Sequence, residues 1–203
     1  MRLFASSRSP FVRKVLIAAH ELGLADRLEL SEVVVALAQP NDAVMAHNPL
    51  NKIPTLITDD GTTLFDSQVI CEYLDGLAAP PRLFPSDPAQ RFPALRWHAL
   101  GSGLLDALIL WRSERMRPEA QQSPAVLAAL ARKTEATLAL LEHEADALAA
   151  APLAIGHIGI AAALGYLDFR FAELPWREGR PRLMAWYAGF AQRPSMRATA
   201  PHD

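Results

Sequence analysis

The sequence predicts two domains of different class, a small α/β domain followed by an all-helical bundle domain. Residues 1–78 mix short β-rich runs with helical patterns, whereas residues 88–193 carry long Ala- and Leu-rich helical patterns and almost no β-branched runs. Four prolines fall within residues 79–88, where they remove backbone donors and prevent a continuous helix. We therefore expect a first domain at 1–78, a linker at 79–87 and a second domain at 88–203.

The first domain is predicted to alternate strands with helices. Ser9 is a favoured helix cap, Pro10 suits the first helical position and Gly23 suits the end, so a helix is expected between them. The other expected elements are strands at 2–5, 28–35, 55–57 and 62–64, a short helix at 42–47 and a helix that Asp66 or Ser67 caps and that runs to Leu74. This order of elements is thioredoxin-like, and a right-handed crossover makes the first two strands parallel.

The second domain is predicted to contain four main helices. Their expected ranges are 90–116, interrupted by Pro93 near its start, 125–150, 158–171 and 182–192. The third of these is nearly all apolar, which is typical of a helix buried in a bundle.

Composition excludes several classes of partner. Half of the residues are hydrophobic (51%), enough for a core, and the formal net charge of −2 provides no basic field for nucleic acid or for anionic lipid. The N-terminus reaches Arg8 before a signal-length apolar stretch has formed, and the lone Cys71 fits a reducing compartment. We expect a cytoplasmic protein, with no metal, because no pair of its six histidines has a metal-ligand spacing.

Three segments carry residues suited to binding a peptide-like anion. The first is Ser9-Pro10-Phe11, the second is Asn48 to Leu56, which includes Lys52-Ile53-Pro54, and the third is Leu64 to Leu74, which includes Asp66-Ser67. Taken singly, each has an ordinary structural interpretation. Ser9 and the Asp66-Ser67 pair suit helix caps, and Lys52 suits a solvated loop.

Taken in order, the three segments resemble the glutathione transferase superfamily, and the resemblance covers the whole chain. The Ser-Pro segment is similar to that of the plant tau class and of short proteobacterial transferases. The resemblance implies a glutathione site with these roles: Ser9 donates to the sulfur, Lys52 approaches the glycyl carboxylate, Ile53 pairs its backbone with the cysteinyl moiety beside a cis Pro54, Asp66 binds the γ-glutamyl ammonium and Ser67 binds the γ-glutamyl carboxylate.

The activating group of such a site remains open between neighbouring serines. A hydroxyl donor and a helix N-terminus both favour a thiolate. Ser6 and Ser7 lie close to Ser9 between the first strand and the first helix, so any of the three hydroxyls could face the sulfur. Phe4 stands where the family's tyrosine mechanism places its hydroxyl. The absence of cysteine at position 9 argues against mixed-disulfide chemistry.

One segment departs from the family pattern. The resemblance implies that the helix at 158–171 begins with Ser or Thr and has Asp three residues later, but the corresponding positions here are Ala154 and His157. We expect His157 to serve as the substitute cap.

The function implied is transfer of glutathione, as a thiolate co-substrate, to a small hydrophobic electrophile, with no metal or redox cofactor. The alternatives are a non-catalytic binding protein of the same fold and a glutathione-dependent peroxidase or isomerase. Candidates for the electrophile pocket are Phe11, Leu104, Leu108, Trp111 and Tyr166, each of which also suits a core. The resemblance further implies a homodimer, in which Asp106 is a weaker candidate for reaching across the interface.

Overall fold

The computed structural model describes residues 1–36, 38–80 and 83–203. The chain divides into two compact units: Met1–Phe92 together with Pro194–Asp203, and Pro93–Arg193. The first unit therefore extends past the expected linker to Phe92, and it also includes the last ten residues of the chain. Pro81 and Arg82 of the expected linker lie outside the described residues.

The first unit is built on a four-stranded sheet. Its strands are β1 (Arg2–Ala5), β2 (Glu29–Glu32), β3 (Thr55–Ile57) and β4 (Thr63–Leu64), in the order β2-β1-β3-β4. β1 and β2 are parallel, which confirms the predicted crossover, and the other two pairs are antiparallel. The thioredoxin-like order expected from the sequence is therefore present.

One strand is shorter than the pattern predicts. The alternation from residue 28 to residue 35 indicated a strand of eight residues, but β2 ends at Glu32. β2 is an edge strand that pairs only with β1, from Arg2 opposite Glu29 to Ala5 opposite Glu32. The Val33 amide still donates to the carbonyl oxygen of Ala5 at 2.9 Å, and β1 ends at Ala5, so its pairing with β2 ends there.

Four helices of the first unit follow its strands. They are α1 (Pro10–Glu21), α2 (Asp42–Met45), α3 (Ser67–Leu77) and α8 (Pro194–Ala198). Ser9 caps α1 with Pro10 at its first position, as predicted. Asp66 is the cap of α3, which continues one turn past Leu74. The pattern did not predict α8, which packs against α1.

The second unit is helical. Its helices are α4 (Pro88–Arg115, which begins in the first unit), α5 (Pro124–Ala150), α6 (Ile155–Arg170) and α7 (Pro181–Phe190). α6 is buried along residues 155–167, as expected of a central helix. α4 and α6 approach closely at Gly101, where a Cβ would lie 2.4 Å from the carbonyl carbon of Gly159. In the described part of the chain, no helix is long and apolar enough to cross a membrane.

The start of α6 confirms the expected cap. The Ala154 amide donates to Nδ1 of His157 at 3.1 Å. Nε2 of the same ring lies 2.9 Å from the carbonyl oxygen of Leu148. Since Nδ1 accepts, Nε2 carries the proton and donates it to that carbonyl. The helix begins at Ile155, three residues before the predicted start.

Candidate functional site

The sheet brings the three sequence segments to one end. β1 and β3 are antiparallel with Phe4 opposite Thr55, so the turn that follows β1 leaves the sheet where β3 enters it. β4 is antiparallel to β3 with Leu64 opposite Leu56, so it also ends there. The Ser6–Ser9 turn, the Ile53–Pro54 peptide and the Asp66–Ser67 pair therefore lie together where β1 and β4 end and β3 begins. This end of the sheet is the edge at which the candidate site lies.

Two helix N-termini open onto the same edge. α1 begins five residues after β1 ends, and α3 begins three residues after β4 ends. The first amides of a helix carry a partial positive charge and lack partners within the helix. Glutathione has two carboxylates and, when activated, a thiolate, so the arrangement suits an anion of this kind.

Ser9 is half-buried at the first of these N-termini, and its hydroxyl has an unused proton. Its Oγ accepts the amide hydrogen of Val12 at 3.3 Å, which is the helix-capping bond. Among the described residues, nothing accepts the hydroxyl hydrogen of Ser9 or the amide hydrogen of Phe11. Capping uses a lone pair of the Ser9 oxygen and leaves its O–H available to a ligand.

The neighbouring serines differ in what their hydroxyls do. Oγ of Ser6 accepts the amide hydrogen of Arg8 at 3.4 Å and keeps its own proton. The hydroxyl of Ser7 donates to the carbonyl oxygen of His202 at 3.0 Å. A hydroxyl has one proton to donate, so Ser7 is occupied, and Ser6 and Ser9 are the remaining donors.

The second segment is held in shape by a buried asparagine. The side-chain amide of Asn48 donates to the carbonyl of Lys52 at 3.1 Å and to Oγ1 of Thr55 at 3.0 Å. The Ile53–Pro54 peptide is cis, as the resemblance implies. Among the described residues, the amide and carbonyl of Ile53 have no hydrogen-bond partner. The side chain of Lys52 is exposed at the same edge.

The third segment combines an exposed carboxylate with the start of α3. Oδ1 of Asp66 accepts the amide hydrogen of Gln68 at 2.9 Å, and the side chain is exposed. Ser67 is buried, and no partner for its amide occurs among the described residues. A carboxylate beside an unpaired helical amide can bind the ammonium and carboxylate of one amino acid together.

The cysteine in α3 is a core residue. Cys71 is fully buried, and burial raises the pKa of its thiol to about 12, although the Lys14 ammonium acts in the opposite direction. Lys14 is itself 1% exposed and lies 5.3 Å from the ring centre of Phe11, which is half-buried. Cys71 is therefore not a nucleophile of this site, and Lys14 helps to orient Phe11.

The candidates for an electrophile pocket separate by burial. Leu104 and Leu108 lie in the core of the helical unit. Tyr166 is buried too, and burial raises the pKa of its phenol. Trp111 is half-buried and packs on Phe171, with ring centres 5.2 Å apart. In residues 1–36, 38–80 and 83–203, no group of His, Cys, Asp and Glu side chains forms a metal site.

Sequence reasoning gave no role to two features of this edge. One is Asn48, whose signal was the Asn-Pro dipeptide typical of a turn with side-chain bonds to the backbone. The other is the bond from Ser7 to His202, which joins residues 195 positions apart. No local pattern signals a pair so distant in sequence.

Comparisons with known proteins find relatives of both parts of the chain. A family model described as "Glutathione S-transferase, N-terminal domain" matches residues 8–77, and one described as "Glutathione S-transferase, C-terminal domain" matches residues 124–189. A GST-like protein of Escherichia coli K12, YibF, described as uncharacterized, is 34% identical over 99% of this chain and 98% of its own length. The glutathione S-transferase GstB of the same organism is 29% identical over 96% and 95%.

Solved structures of glutathione transferases are also similar to this chain over nearly its whole length. A glutathione transferase family member from Pseudomonas fluorescens Pf-5, solved with bound glutathione, matches with a TM-score of 0.96 and 41% identity, covering 100% of this chain and 99% of that one. A glutathione S-transferase from Methylobacillus flagellatus KT, also with glutathione bound, has a TM-score of 0.88 and 36% identity, with 99% of each chain covered.

Proposed function

Because the chain belongs to the glutathione S-transferase family, we propose that it is a glutathione transferase of the serine type, in which Ser9 activates the thiol. The observation that carries this proposal is the Ser9 hydroxyl, which stands at the N-terminus of α1 with its proton unused. Similar structures solved with glutathione support the choice of co-substrate.

The remaining recognition is assigned to the same edge. Lys52 would pair with the glycyl carboxylate, and the unpaired backbone of Ile53 beside Pro54 would bond to the cysteinyl moiety as an added strand does. Asp66 would bind the γ-glutamyl ammonium, and the amide and hydroxyl of Ser67 its carboxylate. Phe11 would form an apolar wall next to the sulfur.

The chemical step follows from this placement. Bound glutathione loses its thiol proton to water, and the Ser9 O–H and the helix field stabilise the thiolate. The sulfur then forms a bond to an electrophilic carbon of a small hydrophobic substrate, and a leaving group departs with the electron pair of the broken bond. Ser9 donates a hydrogen bond throughout and stays protonated. We further propose that the protein assembles as a two-fold homodimer.

The test is a titration of enzyme-bound glutathione. The thiolate absorbs in the ultraviolet, so its absorbance against pH gives the pKa of the bound thiol. In Ser9→Ala this pKa is expected to rise by roughly one unit toward the ~8.5 of a free thiol. Turnover at neutral pH falls accordingly, while glutathione affinity changes little.

Two matched variants make the assignment specific. Ser7→Ala is expected to leave the titration unchanged, because the Ser7 proton already bonds to His202. Ser6→Ala is the critical comparison, since that hydroxyl also keeps its proton. A raised pKa in Ser6→Ala and an unchanged one in Ser9→Ala would move the role to Ser6. An unchanged pKa in both would remove serine activation, and failure of glutathione to bind at all would favour a non-catalytic binding protein.

A further inference from the structure

The helical unit contains a cleft of about 390 Å³ that shares no residue with the edge described above. Its walls come from α4, α5, α6 and the segment between α6 and α7. The residues that define it are Trp111, Thr134, Leu138, Leu167, Trp176 and Arg180. This volume is within the range of small-molecule sites, roughly 300 to 1,000 Å³.

Two indole rings line the cleft and are already fixed: Trp111 is half-buried and offers most of the accessible aromatic surface, whereas Trp176 is 4% exposed. The Trp176 indole N–H donates to Asp168 at 2.8 Å, and its ring meets Tyr187 edge-on at 5.9 Å. Arg177 lies over the Trp176 ring and bonds to both oxygens of Asp168. Trp111 is held by its contact with Phe171. Rigid aromatic walls of this kind suit a flat aromatic ligand, since little side-chain entropy is lost on binding.

Two residues that line the cleft have buried polar atoms without partners. Thr134 is 3% exposed and Arg180 is 8% exposed, yet in the described part of the chain neither Thr134 Oγ1 nor Arg180 Nε has a hydrogen-bond partner. The other nitrogens of Arg180 bond to the carbonyls of Trp176 and Glu178 and to the carboxylate of Glu135. Unpaired buried donors are unfavourable in a folded protein.

A ligand in the cleft can recruit the Thr134 hydroxyl. Rotation about χ1 moves Oγ1 among three staggered positions without moving the backbone of α5. The hydroxyl and the Arg180 side chain lie on the same cleft, so an acceptor placed there meets a neutral donor and a cation together.

The charges on the cleft select the type of acceptor. Arg180 is paired with Glu135, whereas Arg132, exposed at the rim, has no acidic partner among the described residues. One positive charge is therefore in excess, which favours an anion. We infer that this cleft binds a flat aromatic carboxylate, with its ring against Trp111 and its carboxylate toward Thr134, Arg180 and Arg132.

Calorimetric titration of the full-length protein with naphthalene-2-carboxylate tests this inference. We expect saturable binding, and at least about fivefold weaker binding of the neutral naphthalene-2-carboxamide. Saturating glutathione is expected to change the Kd of the carboxylate by less than about twofold. No binding at millimolar probe, equal affinity for the amide, or loss of binding with glutathione present would overturn the site.

One single variant and two pairs, each of a variant and its control, locate the binding. Thr134→Val keeps the side-chain volume and removes an unpaired oxygen, so we expect this variant to fold. It should weaken binding of the carboxylate roughly threefold to tenfold. Arg132→Gln should weaken it several-fold, whereas Lys133→Gln, whose residue is absent from this cleft, should not. Ala131→Phe should fill the cleft and abolish binding, with Ala129→Phe as the control. Equal effects of the variants and their controls would place the probe elsewhere and refute the proposal.

Discussion

Replacing His157 tests how α6 begins and whether this ring makes the stability of the helical unit depend on pH in a defined direction. The ring is 4% exposed, and its two nitrogens bond to Ala154 and Leu148. It also packs against Trp97, Trp186 and Phe190, with ring centres 5.9 to 6.5 Å away. The same side chain is therefore a cap, a link to the end of α5 and part of an aromatic cluster.

The size of the effect follows from those two bonds. Loss of a cap costs about 0.5 to 2 kcal/mol, and a buried carbonyl left without a donor costs about 1 to 3 kcal/mol. His157→Leu loses both bonds and should lower the free energy of unfolding by roughly 2 to 4 kcal/mol. His157→Asn places an acceptor near the Nδ1 position and keeps the Ala154 bond, whereas His157→Gln reaches to the Nε2 position and keeps the Leu148 bond. Each should recover about 1 kcal/mol relative to leucine.

The pH dependence has a definite sign. Burial lowers the pKa of His157 below the 6.5 of an accessible histidine, and the nearby Arg193 acts in the same direction, although the backbone bonds oppose it. At a pH between the folded-state pKa of His157 and 6.5, the unfolded chain binds one more proton than the folded chain. The contribution of His157 to the free energy of unfolding is therefore complete above about pH 7. It decreases as the pH falls through 6.5 toward the folded-state pKa, by at most about 1.4 kcal/mol per pH unit.

Tryptophan fluorescence during denaturant unfolding is the appropriate assay. All four tryptophans lie in Pro93–Arg193, so the signal reports the helical unit alone. The informative quantity is the difference between wild type and His157→Gln at pH 8, 7, 6 and 5, because other titrating groups cancel in it. That difference should shrink as the pH falls. A difference that stays constant, or a leucine variant as stable as the wild type, would refute the role of the ring.

Two further predictions concern packing and assembly. Gly101→Ala should lower the free energy of unfolding by at least about 2 kcal/mol, because its Cβ would meet the Gly159 backbone, whereas Gly103→Ala, with nothing within 4 Å, should raise it by up to about 1 kcal/mol; equal effects would contradict the close approach of α4 and α6. The proposed homodimer should sediment as a dimer at micromolar concentration, and a monomer there would rule it out.

Much of the fold was predictable because local signals agreed. Ser9, Pro10 and Gly23 marked α1. α5 begins at Pro124, one residue before the start that its pattern predicted. Where such signals were missing, the boundaries shifted. α6 is buried on all sides at its start and Ala154 has no side-chain acceptor, so hydrophobic periodicity had nothing with which to locate Ile155.

The segments of the candidate site could be named from the sequence, but the hydrogen bonds within and between them could not. The three segments could be named because each is short and local, and the strand order then explains why they meet. The partner of Ser7 and the partners of Asn48 depend on how the chain closes in space. Such contacts decide which groups remain free to bind a ligand, and a single sequence does not encode them in any local pattern.

Ser9 shows why a structural and a functional interpretation of one residue need not compete. From the sequence, a helix cap and a sulfur donor were alternatives, because both explain a serine before a proline. The structure confirms the cap, since Oγ accepts the amide hydrogen of Val12. That bond fixes the oxygen at the end of the helix field, and the hydroxyl proton is left for another acceptor. Capping therefore positions the group that the proposed chemistry requires, so Ser9→Ala should lose about 1 kcal/mol of stability as well as raise the pKa of the bound thiol.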